Sequence, residues 1–324
     1  GKYVNKMKMI FRIKALINML LNIALKKDVG GQAVIEGVLM KGPSHWGLAL
    51  REPTGNVWKK SWKCSDWYKK GVWKLPIFRG FASMVEMLRV GMKALSISAD
   101  VNLGEKEELS PFEMVVAILF ALVAVLIFFV ALPMYASEYM TSQFLFSNFT
   151  KNILEGLLRG IIFIGYIAII GIWKDMRQVF CYHGAEHKAI NAFEAGADLV
   201  PIVVEKYSRI HRRCGTSFLI VVIFISIVIF SFIGEISFVW RVLSRVLLLP
   251  LVIGISYEFI KSASKSETWG SFCIMPALSL QYITTREPTL EQIEIALVAL
   301  DLALNSKSEL LMKGINGITD GFHS

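Results

Sequence analysis

Histidine and cysteine are scarce in this 324-residue chain, which has five of the first and four of the second. Cys64, Cys181, Cys214 and Cys273 all fall on the side that the charge pattern assigns to the cytoplasm, or at its membrane boundary, where thiols stay reduced, so no structural disulfide is expected. A small-residue cleavage site is also missing: the apolar stretch ALINMLLNIAL is followed by Lys26, Lys27 and Asp28. The stretch is therefore not expected to act as a cleavable secretory leader, and residues 1–29 are expected to form an interfacial amphipathic helix. No internal repeat occurs, so no repeat architecture is expected.

Charge is absent from two long runs, residues 114–137 and 214–234. Each exceeds the roughly 20 residues that cross a bilayer core, so both read as transmembrane helices. Residues 160–173 and 246–257 are shorter uncharged runs behind Arg159 and Arg245. They reach across if those arginines snorkel to the headgroups. The fold class read from this pattern is a polytopic α-helical membrane protein of about four transmembrane helices, with a small cytoplasmic β element and amphipathic surface helices.

Positive charge is nearly missing from one side of that arrangement. Of 35 Lys and Arg residues, only Lys151, Arg159, Arg241 and Arg245 fall in the two connections on that side. Positive residues stay on the cytoplasmic side, so both termini and the loop over 174–213 are expected in the cytoplasm beneath a bacterial inner membrane. The net charge of +9 then finds its partner in anionic lipid headgroups, and no nucleic acid is required.

Five parts follow. Residues 1–29 form the interfacial helix. Residues 30–111 hold the β element, with WGLALREPTGNVWKKSWK reading as two strands about a PTGN turn, and then an amphipathic helix over 78–99. Residues 112–260 form the four-span domain with its loop over 174–213. Residues 261–306 form a cytoplasmic segment with an amphipathic helix, started by a capping box of Thr289 and Gln292 and ending near Asn305. Residues 307–324 form a flexible tail.

The chemistry sits in YHGAEHKAI, residues 182–190. Residues four apart share a helix face, so His183 and His187 can present two imidazoles to one divalent metal ion, with zinc the expected choice. Glu186 stands beside them as the candidate general base for a metal-activated water. Asn191 and Glu194 extend the same face, so the stripe is either a site or the solvated side of an amphipathic helix. His211, Cys214 and Glu258 are the candidates for a further ligand, since all three fall near the cytoplasmic ends of spans. Glu36, in the run GGQAVIEGV, must be paired or exposed.

GGQAVIEGVLMKGP, YHGAEHKAINAFE, HRRCGTSF, GISYE and LQYITTREP occur in one order over about residues 28–300. Together they resemble the DUF1385, or YqhQ-like, family of bacterial membrane proteins. The resemblance implies a metal-dependent enzyme and carries over to His183, Glu186, His187, His211, Cys214 and Glu258. Arg212 replaces a proline of the family pattern, and Pro276-Ala277-Leu278-Ser279 stands where Pro-Gly-Leu-Trp is expected. The functional expectation is a membrane-embedded metal-dependent hydrolase. The alternative is a non-catalytic factor that assists membrane-protein assembly through a protein partner, or a transporter.

Overall fold

The computed structural model describes residues 29–103, 111–142, 147–234, 237–263 and 268–304. The expected N-terminal helix, apart from Val29, and the tail over 307–324 lie outside them. Four strands come first: β1 (Gly30–Val34), β2 (Gly37–Lys41), β3 (His45–Arg51) and β4 (Val57–Lys63). The helices follow in chain order. They are α1 (Phe78–Leu103), α2 (Pro111–Leu126), α3 (Leu132–Thr141) and α4 (Asn148–Ile170), then α5 (Lys174–Ala195) and the short α6 (Pro201–Val204). α7 (Gly215–Ser231), α8 (Phe238–Leu247), α9 (Leu249–Ala263), α10 (Trp269–Thr284) and α11 (Leu290–Leu304) complete the set.

The described chain divides into two compact units. The first comprises residues 29–64, 181–209 and 287–304. Its strands form an antiparallel meander in the order β1-β2-β3-β4. The two-residue turn Ile35-Glu36 pairs Val34 with Gly37, and Glu36 takes a left-handed φ of 50°. β2 and β3 are buried along nearly their whole length, which requires cover on both faces and explains their continuous apolar runs. β4 carries Lys59, Lys60 and Lys63 and closes the sheet as a charged edge strand.

α11 begins with the expected capping box. The Thr289 N–H donates to Gln292 Oε1 at 3.0 Å and the Gln292 N–H to Thr289 Oγ1 at 3.3 Å. The helix is described from Leu290 to Leu304, and it is not a surface helix. Ile293, Ile295, Ala296, Leu297, Ala299, Leu300 and Ala303 are all buried and, with Val38, Met40 and Ala49 of the sheet, form the core of the unit. Apolar residues cover too much of its circumference for one face to remain in water. Gly42 and Gly47 let the helix backbone come close: a Cβ on Gly47 would lie 2.3 Å from the Ala299 carbonyl oxygen.

The second unit comprises residues 65–180 and 210–286 among those described. α2 and α3 run into one another through a π-helical turn at Ile127–Ala131, so that Val115–Thr141 is a single apolar helix of 27 residues. α4 adds 23 residues. Both are long and apolar enough to cross a membrane, and α8 with α9 makes a third such element, bent by 43°, if the pair is one span. Pro250 in the first turn of α9 lacks the N–H that would join the two helices smoothly.

Four spans were expected, and the helices differ from that expectation in three ways. α7 has 17 residues, fewer than the uncharged run over 214–234. The run over 246–257 is broken by the bend at Leu248. α10 is an apolar helix inside the segment expected as a cytoplasmic 261–306, and its Ile274 and Ala277 join the core formed by Val221, Ile225 and Val252. The helical unit runs on to Arg286.

Arg159 and Arg245 do not snorkel. Both are buried, and both bind Glu155. Arg245 donates Nε to Glu155 Oε1 at 3.0 Å and Nη2 to Oε2 at 2.9 Å, while Arg159 Nη2 reaches Oε1 at 2.6 Å. Arg159 Nε donates to the Phe129 carbonyl at 2.7 Å, an acceptor in the π-helical turn. An uncharged-run count ends a span at such residues; helix packing absorbs them instead.

Candidate metal centre

In the sheet unit, the motif residues lie on α5, in the part of the helix that follows Phe180. Ala185, Ala189, Ile190 and Ala192 pack into the core, and this fixes which way the polar stripe turns. The His183 and His187 rings sit with centroids 4.4 Å apart, near enough for two imidazoles to address one ion. His187 is 1% exposed, and its Nδ1 lies 2.7 Å from the Arg209 carbonyl oxygen. A carbonyl only accepts, so Nδ1 carries the proton and Nε2 carries the lone pair. A backbone carbonyl fixing the tautomer of a histidine is the arrangement that orients metal ligands.

Glu186 is buried, and its Oε1 lies against β1: a Cβ on Gly31 would approach it to 3.0 Å. Gly31 thus makes room for the carboxylate, which gives the glycine-rich start of the β element a local purpose. One turn back, the Tyr182 hydroxyl donates to Glu36 Oε2 at 3.1 Å. Burial, aided by the Glu36 carboxylate, pushes the Tyr182 phenol well above its ordinary range, so it stays a donor. Glu36 is accordingly paired, as the apolar run around it requires.

Lys188, outside the stripe, and Asn191, within it, share a different task. Lys188 Nζ donates to the Glu205 carbonyl and Asn191 Nδ2 to the Ser208 carbonyl, each at 2.7 Å. With His187 on Arg209, three side chains of α5 hold three carbonyls of the segment over 205–209. Glu287 adds ion pairs to Lys188 and Arg209, at 3.0 and 3.1 Å. Neither a solvated face nor a larger ligand shell describes Lys188 and Asn191; they clamp a loop.

The other expected ligands belong to the helical unit. Cys214 is the N-cap of α7, where its Sγ accepts from the Thr216 N–H at 3.4 Å. All four cysteines are thiols. His211 is buried, its backbone is bracketed by Gln281, and the Arg213 N–H donates to its Nδ1 at 3.4 Å. Glu258 is bound by Arg79, with Nε on Oε1 at 2.6 Å and Nη2 on Oε2. Lys261, the expected i,i+3 partner, lies over the Tyr257 ring. Arg79 was not anticipated, because 179 residues separate it from Glu258.

Burial pushes the His211 imidazole down to about 4 from 6.5. The folded state thus favours the neutral ring, and between those pH values the unfolded chain binds more protons. The contribution of His211 to stability is complete above pH 6.5 and is lost as pH falls through 4, a cost reaching about 3 kcal/mol. Thermal unfolding of the detergent-solubilised protein should show this acid loss, and His211→Gln should flatten it. An identical acid profile in the variant would remove His211 as the cause.

These features define a class: a chain with two or three helices fit to cross a membrane among the described residues, joined to a small sheet unit whose helix pairs a buried His187 with a half-buried His183. The chain belongs to the DUF1385 family. Residues 75–306 match the model of that family, described as a protein of unknown function. The uncharacterized protein YqhQ of Bacillus subtilis (strain 168) is 31% identical over 308 residues, and the match covers 86% of this chain and 94% of YqhQ. No solved structure matches the chain.

Proposed function

We propose that the chain is a membrane-embedded metal-dependent enzyme, most simply a hydrolase, in which His183 and His187 hold a divalent ion and Glu186 serves as general base. The observation that carries this reading is the hydrogen bond from His187 Nδ1 to the Arg209 carbonyl, which fixes the tautomer that presents Nε2 as the electron-pair donor on a ring packed against a second imidazole. Imidazole ligands and the reduced cytoplasm expected from the charge bias favour zinc. Bound there, zinc would lower the pKa of a coordinated water toward neutrality. Glu186 would be the carboxylate that accepts a proton there.

Two histidines are too few for a catalytic zinc site, which uses three protein ligands as a rule. Of the further donors expected from the sequence, Glu258 is held by Arg79, so His211 and Cys214 are the ones to test. The protein sits in the bacterial inner membrane with both termini in the cytoplasm, against anionic headgroups. Metal analysis of protein purified without a histidine tag should return about one zinc per chain, lowered by Cys214→Ser or His211→Ala if either residue is the third ligand. A content near zero that survives zinc supplementation ends the metal reading.

A second reading draws on α1, whose Val85, Leu88, Met92 and Leu95 are exposed along one helix. A membrane-protein assembly factor would use such a stripe against a bilayer or a partner. A protein partner that co-purifies equally well with the His183→Ala, His187→Ala variant would favour it.

A further inference from the structure

Charge collects at one end of the helical unit. Glu155 and Arg245 each keep 2% side-chain exposure and Arg159 keeps 10%, so two guanidiniums share one carboxylate among packed helices. One positive charge is left over within that triad. Asn152 joins it, accepting from Arg245 Nη2 at 3.1 Å and donating to the Ile233 carbonyl at 3.0 Å.

Asn152 also lines a cleft of about 340 Å³, together with Glu138, Asn148, Lys151, Ser237 and Arg241. Here again two cations face one carboxylate. Arg241 donates Nη1 and Nη2 to Glu138 Oε2 at 2.8 and 2.9 Å, and Lys151 Nζ stands 3.7 Å from Oε1. The Arg241 Nε–H is buried with no acceptor among the described residues. A buried guanidinium donor in that condition calls for an oxygen ligand. Ser237 opens α8 without a side-chain cap, so the first N–H groups of that helix add partial positive charge at the same place.

We propose that this cleft binds a phosphate group, held by Arg241 and Lys151, with Glu138 as the internal counter-ion that the phosphate displaces. A forked guanidinium, an ammonium and helix N–H groups together match an oxyanion with several oxygens better than they match a planar carboxylate alone. The volume lies at the low end of small-ligand clefts, about 300–1,000 Å³. The positive triad behind Asn152 supplies a field of the same sign, in a setting where water screens it weakly. Inorganic phosphate and a phospholipid headgroup share this chemistry, and nothing in the site depends on the histidine pair.

The test uses the full chain in a maltoside detergent free of phosphate. Radiolabelled inorganic phosphate is titrated, then challenged with short-chain phosphatidylglycerol. Saturable binding is expected, weakened about tenfold or more by Arg241→Gln with Lys151→Gln. Glu138→Gln should tighten binding several-fold, because it removes the competing charge; a misfolded variant cannot mimic that gain. Displacement by phosphatidylglycerol, or saturable binding of that lipid alone, supports the proposal with a lipid as the source of the phosphate. Binding without displacement supports it with a soluble phosphate. If neither probe binds saturably, or if Arg241→Gln and Glu138→Gln leave binding unchanged, the cleft is only a structural ion pair.

Discussion

Glu155→Leu is expected to destabilise the helical unit by about 3–5 kcal/mol, because it leaves two buried guanidiniums without their shared carboxylate. Arg245 loses both of its bonds to that carboxylate and keeps Asn152 Oδ1, Ser244 Oγ and the Phe230 ring, whose centroid lies 4.3 Å from its Cζ. Arg159 keeps the Phe129 carbonyl and Ser226 Oγ. These neutral partners replace hydrogen bonds but not charge. Breaking a buried pair costs more than replacing the whole of it by apolar residues. Glu155→Leu combined with Arg159→Met and Arg245→Met should therefore recover much of the lost stability. Urea or thermal unfolding in detergent measures both, and a single variant that unfolds like the wild type would show that water or lipid reaches the triad.

The same triad shows where sequence reading stops. An uncharged-run rule treats Arg159 and Arg245 as the ends of short spans, since in one dimension a charge beside an apolar run is a boundary. Their partner, Glu155, is four residues from one and ninety from the other, so the second contact exists only after the helices pack. The link from Glu258 to Arg79 has the same origin. α10 was missed for a local reason, because Pro276 interrupts its apolar residues and charges precede it at 261–267.

Local chemistry was legible where residues adjacent in sequence decide the outcome. The PTGN turn between β3 and β4 is such a case, with the Gly55 φ of 89° and the Gly55 N–H donating to the Glu52 carbonyl at 2.9 Å. The Thr289 and Gln292 capping box is another. Helical spacing was also sufficient to bring the His183 and His187 rings together. It could not reveal the Arg209 carbonyl that sets the His187 tautomer, or the loop clamp made by Lys188 and Asn191. Both depend on a turn of the chain some twenty residues further on.

That division of labour on α5 makes Glu186 the most informative residue to change. His183→Ala with His187→Ala should reduce bound zinc from about one per chain to nearly none, whereas Glu186→Gln should leave the stoichiometry intact. A general base is not needed to hold the ion, and glutamine preserves the side-chain volume beside Gly31. On a hydrolysable substrate the Gln variant should lose about 10²–10⁴-fold in turnover, the usual span of a general base. A readout independent of substrate is the visible spectrum of the cobalt-substituted protein. Its pH transition, which follows ionisation of bound water, should move in Glu186→Gln while the cobalt content does not. His187→Ala also removes a bond to the 205–209 segment, worth about 1 kcal/mol, so thermal unfolding must be followed alongside. If Glu186→Gln loses the metal as completely as the histidine variant, Glu186 is a ligand and the general base lies elsewhere. If the double histidine variant keeps its metal, the ion is held elsewhere and His187 serves the clamp alone.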